Sequence, residues 1–279
     1  MPELPEMQAL AERLDAAFAG ASVEGFEPLG FSALKTVVPA PDDLVGSRVT
    51  GVGRRGKYAV ISLEGGPRIL VHLSQAGRLD IESPARRTRP RGAVVRMRFD
   101  NGSAILVREY GSQRKAAWWL LAAGDDGPLA TLGPEPDDPA FAEFLMTGDS
   151  TRRIHTLLRD QRTVAGIGRG YADDVLNLVG LSPFASLRSL TADQRARLAG
   201  AVHSVLDDAL TQERARTGGL SEPKLGLRFA VHNRVGQPCP RCAEPLLRVS
   251  FESHEIAYCK HCQTKDRVLA DRRLSRLLR

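Results

Sequence analysis

The chain has 279 residues, 42% of them hydrophobic, and a formal net charge of +6. That length supports two cores without disulfide reinforcement. The longest apolar run, Ala116 to Ala123, is too short to cross a bilayer, and the acidic start lacks the basic and apolar pattern of a signal peptide, so a soluble, cytoplasmic protein is expected.

The chain opens on MPELPE. Pro5 and Glu6 suit the first turn of a helix, where N–H groups lack partners and the helix dipole is positive. Pro2 has no such explanation. Removal of Met1 makes it the chain terminus, a secondary amine beside the carboxylate of Glu3. An α-amino group titrates near ~8, far below lysine, so it is a competent nucleophile near neutral pH.

The helix PEMQALAERLDAAF is followed by strand-like runs, GRRGKYAVISLEG, PRILVHLS and AVVRMRFDNGSAILVRE, with a hairpin signature at Asp100 to Gly102. Residues 1–125 are therefore expected to form a β-sandwich or barrel with a flanking helix. Lys57, beside Arg54, Arg55 and Tyr58, reads on its own as part of a solvated face. Residues 126–139, rich in proline, glycine and acid, read as a linker.

Helical patterns occupy 140–222: FAEFLMTG, RIHTLLRDQRTVAGIG, YADDVLNLVG and a long helix capped by Thr191. The GIGRG turn, Gly166 to Gly170, joins two of them in a helix-turn-helix-like element. Its glycines allow backbone N–H groups to approach a phosphate, although glycine turns between helices are common.

Residues 223–279 hold 12 Lys and Arg against 5 Asp and Glu, a balance of +7, so the rest of the chain sums to −1. A solvated tail and a nucleic-acid contact both fit that charge. All four cysteines lie here, in CPRC (Cys239, Cys242) and CKHC (Cys259, Cys262), with sixteen residues between the pairs. This is the spacing of one structural, tetrahedral zinc ion held by four thiolates, with no position open for catalysis. The segment between the pairs reads as a β-hairpin with a tip at Ser253 and His254.

PELPE, the lysine of RRGKY, LGPEP, LLRDQRTVAGIGRGYADDVL followed by GLSP, and the four-cysteine finger occur in the order found in the formamidopyrimidine-DNA glycosylase and endonuclease VIII family, which the chain resembles over nearly its whole length. The resemblance implies a multidomain α+β fold: an N-terminal two-layer β-sandwich with a flanking helix, a helix–two-turn–helix domain and a C-terminal zinc-finger hairpin. It implies a bifunctional DNA glycosylase and abasic-site lyase, a monomer acting on double-stranded DNA that carries a damaged base or an abasic site. In this chemistry the Pro2 amine attacks C1′ of a flipped-out nucleotide, the Schiff base releases the base, and β,δ-elimination cuts the strand. Glu3 moves protons at the sugar, and Lys57 contacts phosphate and supports catalysis. Glu6 is either a catalytic aid or a plain first-turn carboxylate.

The same resemblance places DNA contacts at Gly168, Arg169 and Tyr171 of the turn, at His254 of the finger tip, and at wedge residues among Gln75, Gln113, Arg114 and Lys115. Arg169 stands where the family has a phosphate-binding asparagine, and His254 where it has an arginine. His155 replaces a lysine of the oxidised-purine branch, and the segment before Cys239 is short, which weakens 8-oxoguanine as the main substrate. Oxidised pyrimidines, abasic sites and bulkier lesions remain open. Two other readings compete: a lesion-binding protein of the same fold without base excision, and a zinc-ribbon protein unrelated to repair, which leaves PELPE unexplained.

Overall fold

A computed structural model describes residues 1–30, 32–111, 114–216, 228–251 and 254–270. The chain divides into two compact units. The first holds Met1–Thr131 and, among the described residues, 210–216; the second holds Leu132–Ala209 and described residues 228–270.

Helix α1 (Leu4–Phe18) begins the first unit. Glu3 is its N-cap, Pro5 sits in its first turn, and the Glu6 carboxylate turns back to accept the Glu3 N–H at 2.7 Å. That bond satisfies one of the N–H groups a helix start leaves over, and it fixes the backbone next to Pro2.

Eight strands follow: β1 (Val23–Pro28), β2 (Val49–Arg55), β3 (Tyr58–Leu63), β4 (Arg68–His72), β5 (Gly77–Glu82), β6 (Ala93–Phe99), β7 (Ala104–Glu109) and β8 (Ala117–Leu121). They form two antiparallel four-stranded sheets, ordered β1-β6-β7-β5 and β2-β3-β4-β8. Alternation gives each strand one core face. In β3, Ala59, Ile61 and Leu63 point inward, while Val95, Met97 and Phe99 of β6 and Ile105 and Val107 of β7 meet them from the other sheet. Leu10, Leu14 and Phe18 of α1 join this core, and Phe18 lies 4.4 Å from Phe99 between ring centroids. The β6–β7 hairpin turns at Gly102, whose φ of +76° suits glycine. The expected two-layer sandwich with a helix on its flank is present.

The second unit contains α2 (Pro139–Thr147), α3 (Ile154–Arg159), α4 (Arg169–Val179) and the greater part of α5 (Ala192–Ala215), whose last turns belong to the first unit. Helix α3 is shorter than its pattern predicts. It stops at Arg159 because Asp160 and Gln161 turn their side chains onto the backbone. Asp160 Oδ1 accepts the Arg162 N–H, while Gln161 accepts from Gly166 N–H at 2.9 Å and donates to the carbonyls of Arg159 and Ile167. Residues 160–168 are thus a turn held open by one glutamine.

The LGPEP stretch packs onto this turn. Gly133 N–H donates to the Gln161 carbonyl, Ala165 N–H to the Pro134 carbonyl, and a Cβ at Gly133 would lie 2.2 Å from the Arg162 carbonyl oxygen. Glycine is required there by close backbone approach. The finger completes the unit with strands β9 (Leu247–Phe251) and β10 (His254–Tyr258), paired antiparallel, and α6 (Lys260–Thr264).

Candidate active site and metal centre

Four sequence-predicted residues come together at the start of the first unit. Pro2, Glu3 and Glu6 are buried at the entry of α1, and Lys57 is 5% exposed on the two-residue turn between β2 and β3. Burial removes the solvated-face explanation for Lys57, since lysine is rarely buried unless its charge has a use or a partner. The Met1 amine, one residue ahead of Pro2, feels all of this. Burial lowers its pKa below the ordinary value of 8.0; Glu3 and Glu6 oppose the shift, while the cations of Arg78 and Lys57 add to it. An amine at the start of this chain is therefore held toward its unprotonated form.

Two members of this cluster escaped the sequence reading. Arg78 lies on β5, 6% exposed, with Nη1 donating to the Gly77 carbonyl at 2.7 Å. His72 ends β4 and stacks on Tyr58 at 4.8 Å; burial and then the Lys57 cation push its pKa down to about 4, leaving it neutral at physiological pH.

The residues expected as wedges within the described chain, Gln75, Arg114 and Lys115, are all exposed; Gln113 lies outside the described residues. Their two loops run side by side: Gly77 pairs with Glu109, and the Tyr110 N–H donates to the Ala76 carbonyl at 3.1 Å. Gly77 closes the first loop, where a Cβ would meet the Leu73 carbonyl oxygen at 2.1 Å.

In the second unit Gly168 caps α4 and Arg169 is its first residue, half-exposed, with no hydrogen bond or ion pair among the described residues. A guanidinium at the positive end of a helix dipole is unfavourable until an anion arrives. Tyr171 is 1% exposed and meets Phe229 edge-on at 5.0 Å. Gly170 makes room for that contact, because a Cβ there would lie 2.2 Å from the Phe229 ring. His254, half-buried, begins β10 at the finger hairpin. His155 is buried, its Nε2 3.1 Å from Asp173, which also holds His232 Nδ1 at 2.7 Å.

Cys239, Cys242, Cys259 and Cys262 bring their sulfur atoms within 4.8 Å of one another, with Cys239 and Cys259 buried. Cys242 and Cys259 Sγ are 3.5 Å apart, too far for a disulfide and near enough to share a metal ion. The surroundings favour thiolate at one ligand. Burial alone would raise Cys239, yet the Arg241 N–H, the Asn177 amide and the Cys242 N–H bring it down to about 7. Asn177 Nδ2 lies 3.6 Å from Cys239 Sγ and also donates to Gln263, whose Oε1 accepts the Cys259 N–H. The donor set fits a tetrahedral metal ion with oriented outer partners.

These outer contacts lie on one face of α4. Asp173 accepts the Ala257 N–H of β10, Asp174 accepts the N–H groups of Ala230, Val231 and His232, and Asn177 reaches the cysteines. Spacing of one and four residues puts all three side chains toward the finger.

The formamidopyrimidine-DNA glycosylase N-terminal domain matches residues 1–118, and the H2TH domain of the same enzymes matches residues 132–219. The formamidopyrimidine-DNA glycosylase of Chloroflexus aggregans is 31% identical over 94% of this chain and 98% of its own; that of Moorella thermoacetica is 34% identical over 89% and 94%. Among solved structures, MutM in complex with DNA containing carbocyclic 8-oxo-G superposes with a TM-score of 0.82 at 24% identity, covering 94% of this chain and all of that one. Lactococcus lactis Fpg with abasic-site DNA superposes equally well at 23% identity, over 94% and 99%. No described helix is long and apolar enough to cross a membrane. The chain belongs to the formamidopyrimidine-DNA glycosylase family, the DNA glycosylases of base excision repair.

Proposed function

We propose that the protein, once Met1 is removed, uses the secondary amine of Pro2 to attack C1′ of a damaged or abasic nucleotide in double-stranded DNA. The N–C1′ bond forms as the bond from C1′ to the base breaks, and the amine loses its proton as the base leaves. The C1′–O4′ bond then opens, its electron pair going to O4′, which takes a proton from Glu3; because proline is a secondary amine, the resulting C1′=N bond is an iminium cation, which acidifies C2′–H. Loss of that proton expels the 3′ phosphate, a second elimination expels the 5′ phosphate, and water releases the enzyme. Glu3 carries the protons at the sugar, and Lys57 and Arg78 hold phosphate while keeping the amine unprotonated. Glu6 serves by fixing the Glu3 backbone.

In this reading Arg169, with the N–H groups that open α4, takes a backbone phosphate beside the lesion, where arginine gives a longer and charged reach than an amide. His254 provides a weaker, pH-dependent phosphate contact. Gln75, Arg114 and Lys115 fill the gap left by the flipped nucleotide. One zinc ion on the four cysteines stiffens the finger and performs no catalytic step.

The observation that carries the proposal is the burial of Pro2 at the chain start together with Glu3, Glu6, Lys57 and Arg78. Duplexes carrying an abasic site, 8-oxoguanine or an oxidised pyrimidine test it through strand cleavage and borohydride-trapped adducts. Cleavage with a trapped adduct is expected, and the lesion processed fastest names the substrate class. Tight binding with neither cleavage nor adduct would replace it with a lesion-binding role.

A further inference from the structure

Strands β7 and β8 belong to different sheets and do not pair with each other, so the connection that carries Arg114 and Lys115 has no ladder at its base. A side chain supplies the closure. Glu109, the last residue of β7 and 7% exposed, accepts the Lys115 N–H at 2.8 Å through Oε1 and the Ala116 N–H at 3.2 Å through Oε2. Both oxygens are thus spent on the backbone at the far end of the loop.

Glu109 is itself fixed on every side. Its N–H donates to the Gly92 carbonyl at 2.8 Å, it pairs across β5 with Gly77, and a Cβ at Gly92 would sit 2.3 Å from its carbonyl oxygen. With Arg91, Tyr110 and Arg114 it lines a cavity of about 610 Å³ beside the loop. A buried carboxylate bonded to two backbone donors is a rigid clamp, because losing one bond strands a buried N–H group.

We propose that Glu109 is a positioning residue for the wedge. It sets the height at which Arg114 and Lys115 stand beside Gln75, and so controls how fully the gap opposite an intact base is filled. This rests on the assignment of those residues as the wedge. Glu109 touches no reacting atom, so its effect belongs to duplex DNA, where there is a gap to fill, and is absent from single strands.

The test uses the full chain with Glu109→Gln, which preserves shape but turns an amide N–H toward a backbone donor, and Glu109→Ala, which removes both bonds. Duplexes carry a tetrahydrofuran abasic analogue with 2-aminopurine opposite, whose fluorescence reports wedge insertion. A parallel assay measures cleavage of a true abasic site in duplex and in single-stranded DNA. Tryptophan fluorescence melts identify any variant that fails to fold, since Trp118 and Trp119 directly follow the clamp.

The duplex-to-single-strand rate ratio is expected to fall about tenfold in Glu109→Ala, with a smaller fall in Glu109→Gln and a matching loss of the 2-aminopurine signal. An unchanged ratio and signal in folded variants, or equal losses on both strands, would overturn the assignment. If the wild type cleaves neither strand, the Schiff-base proposal fails, while the fluorescence on the uncleavable analogue still decides the role of Glu109.

Discussion

Both units bury several charged or strongly polar groups, but they bury them around different things. In the first, Glu3, Glu6, Lys57 and Arg78 gather at the chain terminus, where burial lowers the basicity of the Met1 amine, the cations add to the shift and the carboxylates oppose it. In the second, Asp173, Asp174 and Asn177 gather along one face of α4, and their oxygens and nitrogens end on backbone N–H groups, a histidine, a glutamine and a cysteine. Burial alone therefore does not mark chemistry. What separates the two clusters is whether the partners are fixed structural groups or a terminal amine whose protonation they shift.

The comparison breaks most sharply on substitution. Glu3→Gln removes the proton carrier and is expected to slow strand cleavage by about 10²–10⁴-fold. Single-turnover assays on an abasic duplex measure this, with the fold intact by thermal melting. Had Glu3 been merely a helix cap, cleavage and stability would fall together and modestly.

Two buried groups should contribute pH dependence of opposite sign to the stability of their units. His72 is protonated near 6.5 when unfolded but only below about 4 when folded, so its unit gains stability as pH rises from about 4 to 6.5. Asp174 does the reverse. Burial raises its pKa from 3.8 to about 6 even though three N–H groups pull it down, so its unit loses stability as pH rises from about 4 to 6. Each swing is at most about 3 kcal/mol. Both tryptophans lie in the first unit, so their fluorescence in urea follows that unit alone, while hydrogen exchange at Ala230 to His232 follows the second. Parallel pH trends in both would contradict the assignment.

Asn177→Ala should lower metal affinity by about 10–100-fold in a chelator competition, because it strips the amide from Cys239 and from Gln263. Borohydride trapping by metal-loaded protein is expected to survive. A smaller effect comes from Gly170→Ala, whose methyl meets the Phe229 ring; about 1–3 kcal/mol of stability should be lost in the second unit.

Much of this was legible beforehand, and the gaps have physical reasons. Cys239 to Cys262 announce themselves by spacing, and Pro2 by having no structural need to be there. Lys57 was ambiguous in sequence because a turn lysine beside two arginines looks solvated; only its burial settles where it stands. Arg78 was missed because no local pattern marks it, and the pairing that brings β5 to the terminus is long-range. Gln161 was read as helix because its backbone pattern is helical, whereas its side chain bonds to Gly166 and Ile167 are what end α3. Asp173, Asp174 and Asn177 carry no sign in the sequence of their finger partners, because those contacts come from residues 230–263.

The central claim is that the chain's own terminus is the nucleophile. Borohydride-reduced adducts formed on an abasic duplex, digested and sequenced by mass spectrometry, locate the modified atom. The account predicts the adduct on the nitrogen of Pro2 in the N-terminal peptide, and none in a variant carrying an N-terminal extension. An adduct on Lys57, or one that persists when the terminus is blocked, would contradict it.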